Sequence, residues 1–173
     1  IYAGGTWNFS KSGSVRMDEQ YAVDVFNSFY ADGKYKFAID DKTSLLLGAQ
    51  YYPQRSVGDA QIGSFSTWGA GVQADLAHGP LAVQLYYTQT GRGYDTQAPF
   101  GTHASYLSLM IADFNTAGEK AWGISADVDF AGLGVRGLTA SATYASGSDR
   151  IDSADGSTLP NRSETDVRVD YAI

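Results

Sequence analysis

The sequence predicts an all-β chain folded as an antiparallel transmembrane β-barrel, with about eight strands present of a larger barrel. Three observations carry that expectation. Two-residue alternation of apolar and polar side chains recurs at least seven times, in segments close to the roughly 9 to 11 residues that a tilted strand needs to cross a bilayer. The 12 Tyr, 8 Phe, 3 Trp and 20 Gly among 173 residues favour sheet with many turns. The connections alternate between short and long, the pattern of outer-membrane barrels with tight periplasmic turns and long extracellular loops. Nothing in the composition divides the chain, so residues 1–173 are read as one barrel region.

Several classes are excluded at the outset. The net charge of -7 and the lack of a Lys/Arg cluster argue against nucleic acid as a partner. Without cysteine there is no disulfide framework, thiolate metal site or cysteine nucleophile. A barrel closes its own hydrogen bonding and needs no disulfides. No apolar run approaches the ~18 residues of a membrane-spanning helix. Mean hydropathy is blind to barrel strands, in which every second residue faces the lumen. The chain starts at Ile1 with neither initiator Met nor signal peptide, which predicts further sequence upstream.

A less regular strand, Tyr2 to Ser10, opens the chain with Trp7 and Phe9 outward, and a long connection is expected over Lys11 to Glu19. From Phe29 to Ile39, the positions Phe29, Ala31, Gly33, Tyr35, Phe37 and Ile39 form one face against Asp32, Lys34 and Lys36. After the turn Asp40, Asp41, Lys42, residues Leu45, Leu47, Ala49 and Tyr51 oppose Ser44, Gly48 and Gln50, with Leu46 breaking the pattern. Trp68, Ala70, Val72, Ala74 and Leu76 alternate with Thr67, Gly69, Gly71, Gln73 and Asp75. The turn His78, Gly79, Pro80 leads to Leu81, Val83, Leu85 and Tyr87 against Ala82, Gln84, Tyr86 and Thr88. Trp122, Ile124, Ala126, Val128 and Phe130 oppose Ser125, Asp127 and Asp129. The chain turns through Ala131 to Gly137 and returns as Leu138, Ala140, Ala142 and Tyr144 against Thr139, Ser141 and Thr143. The last strand sets Val167, Val169, Tyr171 and Ile173 against Asp166, Arg168 and Asp170.

The long connections are Lys11 to Glu19, Pro53 to Gly63, Gly91 to Glu119 and Gly147 to Ser163. With these outside the cell, the outward aromatics Tyr51, Trp68, Tyr87, Trp122 and Tyr144 fall near the long-loop ends of five strands, where an interfacial girdle is built. A soluble sandwich would share the alternation. Two features count against it: the polar faces are mostly Gly, Ser, Thr and Asp, and the aromatics sit at strand ends.

From Met110 to Gly147, MIADFNTAGEKAWGISADVDFAGLGVRGLTASATYASG resembles the OprD-type family of outer-membrane porins. The shared features are an AGEKAW strand start, a DVDFAGLGVRGLT periplasmic hairpin and a strand ending in YASG. GAQYYPQRSVGD, Gly48 to Asp59, is similar to an earlier hairpin of that family, and SETDVRVDYAI to its penultimate region. The resemblance covers the chain from about Ser28 to its end. It implies a larger barrel with a closing strand after this region that ends in an aromatic, so an internal fragment is expected. Eight strands alone enclose an interior only wide enough for side chains, and inward faces rich in Gly, Ser and Thr suit a wider lumen.

The implied function is passive diffusion of small hydrophilic solutes, carboxylate-bearing ones included, through an integral protein of the bacterial outer membrane. The implied partners are those solutes and outer-membrane lipid. Porins often form homo-oligomers, but no interface is legible in one sequence. No cofactor or metal is implied. The alternative from another class is a structural or adhesive barrel whose lumen is plugged.

The charges expected to face the lumen are Asp32, Lys34, Lys36, Asp75, Asp127, Asp129, Asp166, Arg168 and Asp170, with Arg92 at the rim. Opposed charges in a channel select solutes by charge and orientation, while each one singly reads as readily as a wall residue paired across strands. Lumenal bases that the resemblance implies for carboxylates correspond to Lys34, Lys36, Arg92 and Arg168. Inward acids outnumber inward bases, which leaves anion against cation preference open. The loop Gly91 to Glu119 holds the apolar residues Tyr106, Leu107, Leu109, Met110 and Ile111, which water would not favour. It is expected to dip into the barrel mouth as a constriction, with Arg92, Tyr94, His103 and Asp113 nearest the path, or to pack on neighbouring loops or a partner subunit.

Catalysis has little support: His78 and His103 belong to no Ser/His/Asp pattern, so no catalytic residue is assigned. Asp149, Asp152 and Asp155 before Gly156 miss the alternate-residue spacing of a calcium loop and read as a solvated loop.

Overall fold

The computed structural model of the chain describes residues 1–98 and 105–172. Among them, nine strands follow one another in a single antiparallel sheet, each hydrogen-bonded to its neighbours in sequence. They are β1 (Tyr2–Asn8), β2 (Gly13–Ala22), β3 (Phe26–Ala38), β4 (Thr43–Ser56), β5 (Ser66–His78), β6 (Leu81–Thr90), β7 (Lys120–Asp129), β8 (Leu138–Ser148) and β9 (Arg162–Tyr171). Among the described residues no pairing joins β9 to β1, so the sheet is open at both edges.

The count corrects the expected eight. Gly13–Ala22, whose first seven residues fall in the expected long connection Lys11 to Glu19, is a full strand paired with both β1 and β3. Its alternation of Val15, Met17 and Tyr21 against Arg16, Asp18 and Gln20 is interrupted outward by Glu19, which hides the period. The connection between β1 and β2 is thereby a short turn, on the same side as the other short turns. Strands β4 and β9 also extend past the expected limits, to Ser56 and back to Arg162. Ile173 lies outside the described residues.

Each strand presents one apolar and one polar face because side chains alternate across the pleat. On β4, Leu47, Ala49 and Tyr51 are exposed, while Gly48, Gln50 and Tyr52 between them are buried. Met17, Leu47, Val72, Leu85, Trp122 and Val167 are likewise exposed on that outer face. This is the reverse of a soluble sandwich, whose apolar faces would be the covered ones, and it suits a surface solvated by lipid.

The short ends are built by local hydrogen bonding. Asp40 Oδ1 accepts from the backbone N–H of Lys42 and of Thr43, both at 2.8 Å. The amide of Lys42 and then the hydroxyl of Thr43 hold the Asp40 carboxyl below its ordinary range. Between β7 and β8 a 3-10 helix, Phe130–Leu133, is capped by Asp129, whose side chain accepts from the N–H of Ala131, and it ends at Gly134 with φ 92°.

Leu85 lies midway along β6 on the outer face, between Ala74 and Ile124. Leu85→Arg is expected to cost about 2–4 kcal/mol of folding stability in lipid, and Gln84→Arg on the opposite face much less. Unfolding titrations in liposomes check this, and equal costs would contradict the assignment of faces.

Candidate functional site

Cross-strand register arranges the inner face in rows. One runs Arg16, Asp32, Gln50, Gly71, Thr88, Ala121, Gly147, Arg162. The next runs Ser14, Lys34, Gly48, Gln73, Tyr86, Gly123, Ala145, Glu164. Small residues dominate the middle of both rows and charges both ends. The wall is therefore a shallow trough flanked by two charged clusters.

Residues 106–114 of the connection between β6 and β7 lie in that trough. Tyr106 donates its hydroxyl to Asp32 Oδ1 at 2.8 Å, and a Cβ at Gly48 would stand 2.9 Å from the same hydroxyl. Leu107, 0% exposed, packs with Phe114, Ala121 and Ala145. A Cβ at Gly123 would meet Leu107 Cδ2 at 2.6 Å, so the glycine is what admits the leucine. Farther on, Glu164 accepts from the N–H of Ile111 (2.8 Å) and of Ala112 (2.7 Å), and Asp166 from that of Met110 (3.2 Å). The loop thus crosses the inner face from β3 to β9.

The outgoing limb is fastened as well. Gln54 exchanges two hydrogen bonds with the backbone of Gln97, at 2.9 and 2.7 Å, and Thr67 donates to the Tyr94 carbonyl at 2.6 Å. Asp95 accepts from the N–H of Ala117 at 2.7 Å, tying the two limbs together.

The β3 flank is a network of alternating charge. Lys34 lies 3.3 Å from Asp32 and over the Tyr106 ring at 5.6 Å, and Arg16 pairs with Asp18. The flank at β9 centres on Glu119, which is 0% exposed. Arg162 grips both its oxygens, Nε to Oε1 at 2.8 Å and Nη2 to Oε2 at 2.6 Å, a charge-assisted fork. Arg150 stands 3.8 Å away, and the Thr116 N–H donates to Oε2 at 3.0 Å. The Arg162 guanidinium also covers the Phe114 ring at 4.9 Å. Gly147 makes room, since a Cβ there would overlap Glu119 Oε1.

With this geometry, residues 1–173 match the description outer membrane porin, OprD family. The chain belongs to the OprD family of outer membrane porins. Porin D of Pseudomonas aeruginosa is 27% identical over 158 residues, covering 86% of this chain and 36% of that protein. Among solved structures, Pseudomonas aeruginosa OpdK with vanillate superposes with a TM-score of 0.92 at 24% identity, over 99% of this chain and 46% of that one. OpdL of the same organism gives 0.93 at 22% identity, over 99% and 48%. The chain spans about half the length of these structures. The fold is that of their outer-membrane barrels, and the place of an OprD-family porin is the bacterial outer membrane. The family match also begins at residue 1, ahead of the Ser28 where the motifs first become legible.

Within this OprD-family sheet, the register sets Asp32, Lys34, Lys36, Asp75, Asp127, Asp166, Arg168 and Asp170 on the inner face. Several are engaged: Asp32 with Lys34, Arg168 with Asp170 at 2.6 Å, and Asp166 with the loop. Asp75 Oδ1 is buried without a hydrogen-bond partner among the described residues. Asp127, Ser141, Arg168 and Asp170 line an open hollow toward the short turns. Asp129 lines the same hollow, and its Oδ1 also caps the turn by accepting from the N–H of Ala131. Tyr51, Trp68, Tyr87, Trp122 and Tyr144 lie on the outer face, with Trp122 and Tyr144 5.4 Å apart and Tyr51 and Trp68 6.2 Å apart. A second outer group at the short-turn end, Trp7, Phe9, Tyr35 and Phe37, was not foreseen as a belt.

Arg92, Tyr94, His103 and Asp113 are the loop residues expected nearest the path. Arg92 is exposed, Tyr94 sets its ring edge-on to Phe65, and Asp113 accepts from Ser108 Oγ at 2.6 Å. His103 lies outside the described residues. Tyr106, at Asp32, and Glu119, at Arg162, are loop side chains that reach the wall charges. Glu119, Arg162 and Glu164 went unnoticed because they sat at or beyond assumed strand limits, and Arg16 and Asp18 because β2 did. Asp149, Asp152 and Asp155 are engaged separately, with Lys120 and the N–H groups of Ala154 and Ser157.

Proposed function

We propose that the full-length protein is a passive diffusion channel for small hydrophilic solutes, with the connection between β6 and β7 as its constriction. It acts as a channel and not as a catalyst. The observation that carries this reading is the placement of that loop in the trough, between the Asp32–Lys34–Tyr106 cluster and the β9 carboxylates. A solute passing it meets both signs of charge within one cross-section, which orders polar molecules by their own charge. Carboxylate-bearing solutes fit the lumenal ammonium groups of Lys34 and Lys36, and the relative OpdK was crystallised with vanillate. The two outer aromatic groups serve as interfacial belts at the membrane boundaries.

Single-channel recording of the full-length protein in planar lipid bilayers tests the reading, with discrete conductance steps as the expected result. Lys34→Glu should move the reversal potential toward cation selectivity, changing the permeability ratio by about two-fold or more, because it replaces a cation beside Asp32 with a third acid near Asp75. The way the loop fills the trough favours one competing reading, a plugged structural barrel. Folded protein that gives no steps would establish it.

A further inference from the structure

The carboxylate of Asp32, 8% exposed, is held by two phenols from different parts of the chain. Tyr106, on the loop, donates to Oδ1 at 2.8 Å, and Tyr30, two residues back on β3, donates to Oδ2 at 3.2 Å. The Tyr30 ring carries the Arg16 guanidinium at 5.7 Å, so a cation backs that side of the cluster. Lys34, on the same face of β3, reaches Oδ2 at 3.3 Å, longer than the about 2.7–2.9 Å of a close ammonium–carboxylate hydrogen bond. Its ammonium also lies over the Tyr106 ring at 5.6 Å, and its side chain is 40% exposed. Tyr106 thus touches both members of the pair: its hydroxyl occupies the acid, and its ring faces the base.

We infer that Tyr106 is a specificity-determining positioning residue: by occupying Asp32 with its hydroxyl and facing Lys34 with its ring, it keeps the ammonium from closing on Asp32 and presents it to a passing carboxylate. The inference rests on the reading of this loop as the constriction of a channel. An ammonium has three donors and no acceptor, and it turns toward whichever carboxylate oxygen lacks a donor. Here each Asp32 oxygen already accepts from a neutral phenol, so Lys34 keeps donors free for a solute. The ring steadies the cation without neutralising it, because its quadrupole carries no net charge. Without the Tyr106 hydroxyl, Oδ1 is left for the ammonium that already stands beside Oδ2. A closed Lys34–Asp32 pair would then offer a carboxylate solute little, since the positive charge is matched where it stands. The loop would in that way set which wall charge a solute meets as well as how wide the passage is.

The test compares the full-length protein with its Tyr106→Phe variant, which keeps the ring over Lys34 and removes the hydroxyl. In planar bilayers under a potassium acetate gradient, the acetate-to-potassium permeability ratio should fall about two-fold. In an Asp32→Asn background the same substitution should leave the ratio unchanged, because no carboxylate remains there to draw Lys34 away. A second readout needs no conduction: acylation of Lys34 by an anionic, water-soluble amine-reactive ester in detergent micelles, resolved by mass spectrometry and divided by that of Lys42, exposed in its turn. Tyr106→Phe should slow it about three-fold, since an ammonium bonded to a carboxylate is withdrawn from the reagent. A Tyr106 that only propped the loop would act in the opposite sense, its loss uncovering Lys34 and speeding the reaction. Unchanged or faster acylation would therefore overturn the inference, as would a permeability ratio shifted equally in both backgrounds. Slower acylation in folded protein that gives no conductance steps sinks the channel reading and leaves the positioning of Lys34 standing, and conductance steps with unchanged acylation do the reverse.

Discussion

Arg162→Ala should destabilise the protein by about 3 kcal/mol, the largest loss expected from any single truncation on the inner face. The carboxylate of Glu119 has no access to water, and removing its fork leaves a buried charge with only the Thr116 amide and Arg150 at 3.8 Å. The value sits at the low end for breaking a buried pair, because the Arg162 side chain is 24% exposed and Arg150 can shift to compensate in part. The Phe114 ring also loses its cover. The double variant Glu119→Gln, Arg162→Met should recover more than half of the loss, since an amide in place of the carboxylate still accepts from Thr116 and no charge is stranded. Urea unfolding in liposomes measures both. Equal losses for the single and double variants would mean that the pair is not the source of the effect.

The largest functional change is expected from emptying the trough. Replacing residues 105–113 with a short Gly/Ser bridge should raise single-channel conductance on the order of three-fold and blur charge discrimination among solutes. It removes Tyr106 from Asp32 and Leu107 from its seat on Gly123 and Ala145, and leaves the root at Glu119 in place. Gly123→Val should act in the same direction more weakly, because its branched side chain occupies the space of Leu107 Cδ2 and lifts the loop from the wall. Unchanged conductance in the loop replacement, from protein that is demonstrably folded, would remove this loop as the constriction and place the narrowest point elsewhere in the barrel.

These expectations draw unequally on sequence and structure. The inward direction of Asp32, Lys34, Lys36, Asp75, Asp127, Asp166, Arg168 and Asp170 was legible residue by residue. So was the outward direction of Trp68, Tyr87 and Trp122. A period of two ties each side chain to its neighbours along the chain, and no long-range information is needed to read it. Alternation is unreadable where an opposing residue masks the period or a strand runs past its apparent boundary. Glu19 on the outer face broke the alternation of β2 and concealed Arg16 and Asp18. Starting β9 at Asp166 and not at Arg162 concealed both residues that hold the loop. The apolar stretch around Leu107 correctly signalled a loop that must pack on something, but Tyr106 was counted with the hydrophobics, while its hydroxyl is the group that engages Asp32.

By itself, then, the sequence determined the barrel class, the two faces of nearly every strand, the side on which each connection after β3 lies, and the family. All of these follow from local periodicity and motifs. Only the tertiary structure decided which charges are partners and where the long loop rests. Arg162 and Glu119 are 43 positions apart, and Tyr106 and Asp32 are 74. Their meeting depends on the register accumulated across successive strands and on glycines at 48, 123 and 147 that leave the trough open beneath the loop. Contacts of that range are set by how neighbouring strands align, a property that no single segment carries in its own alternation.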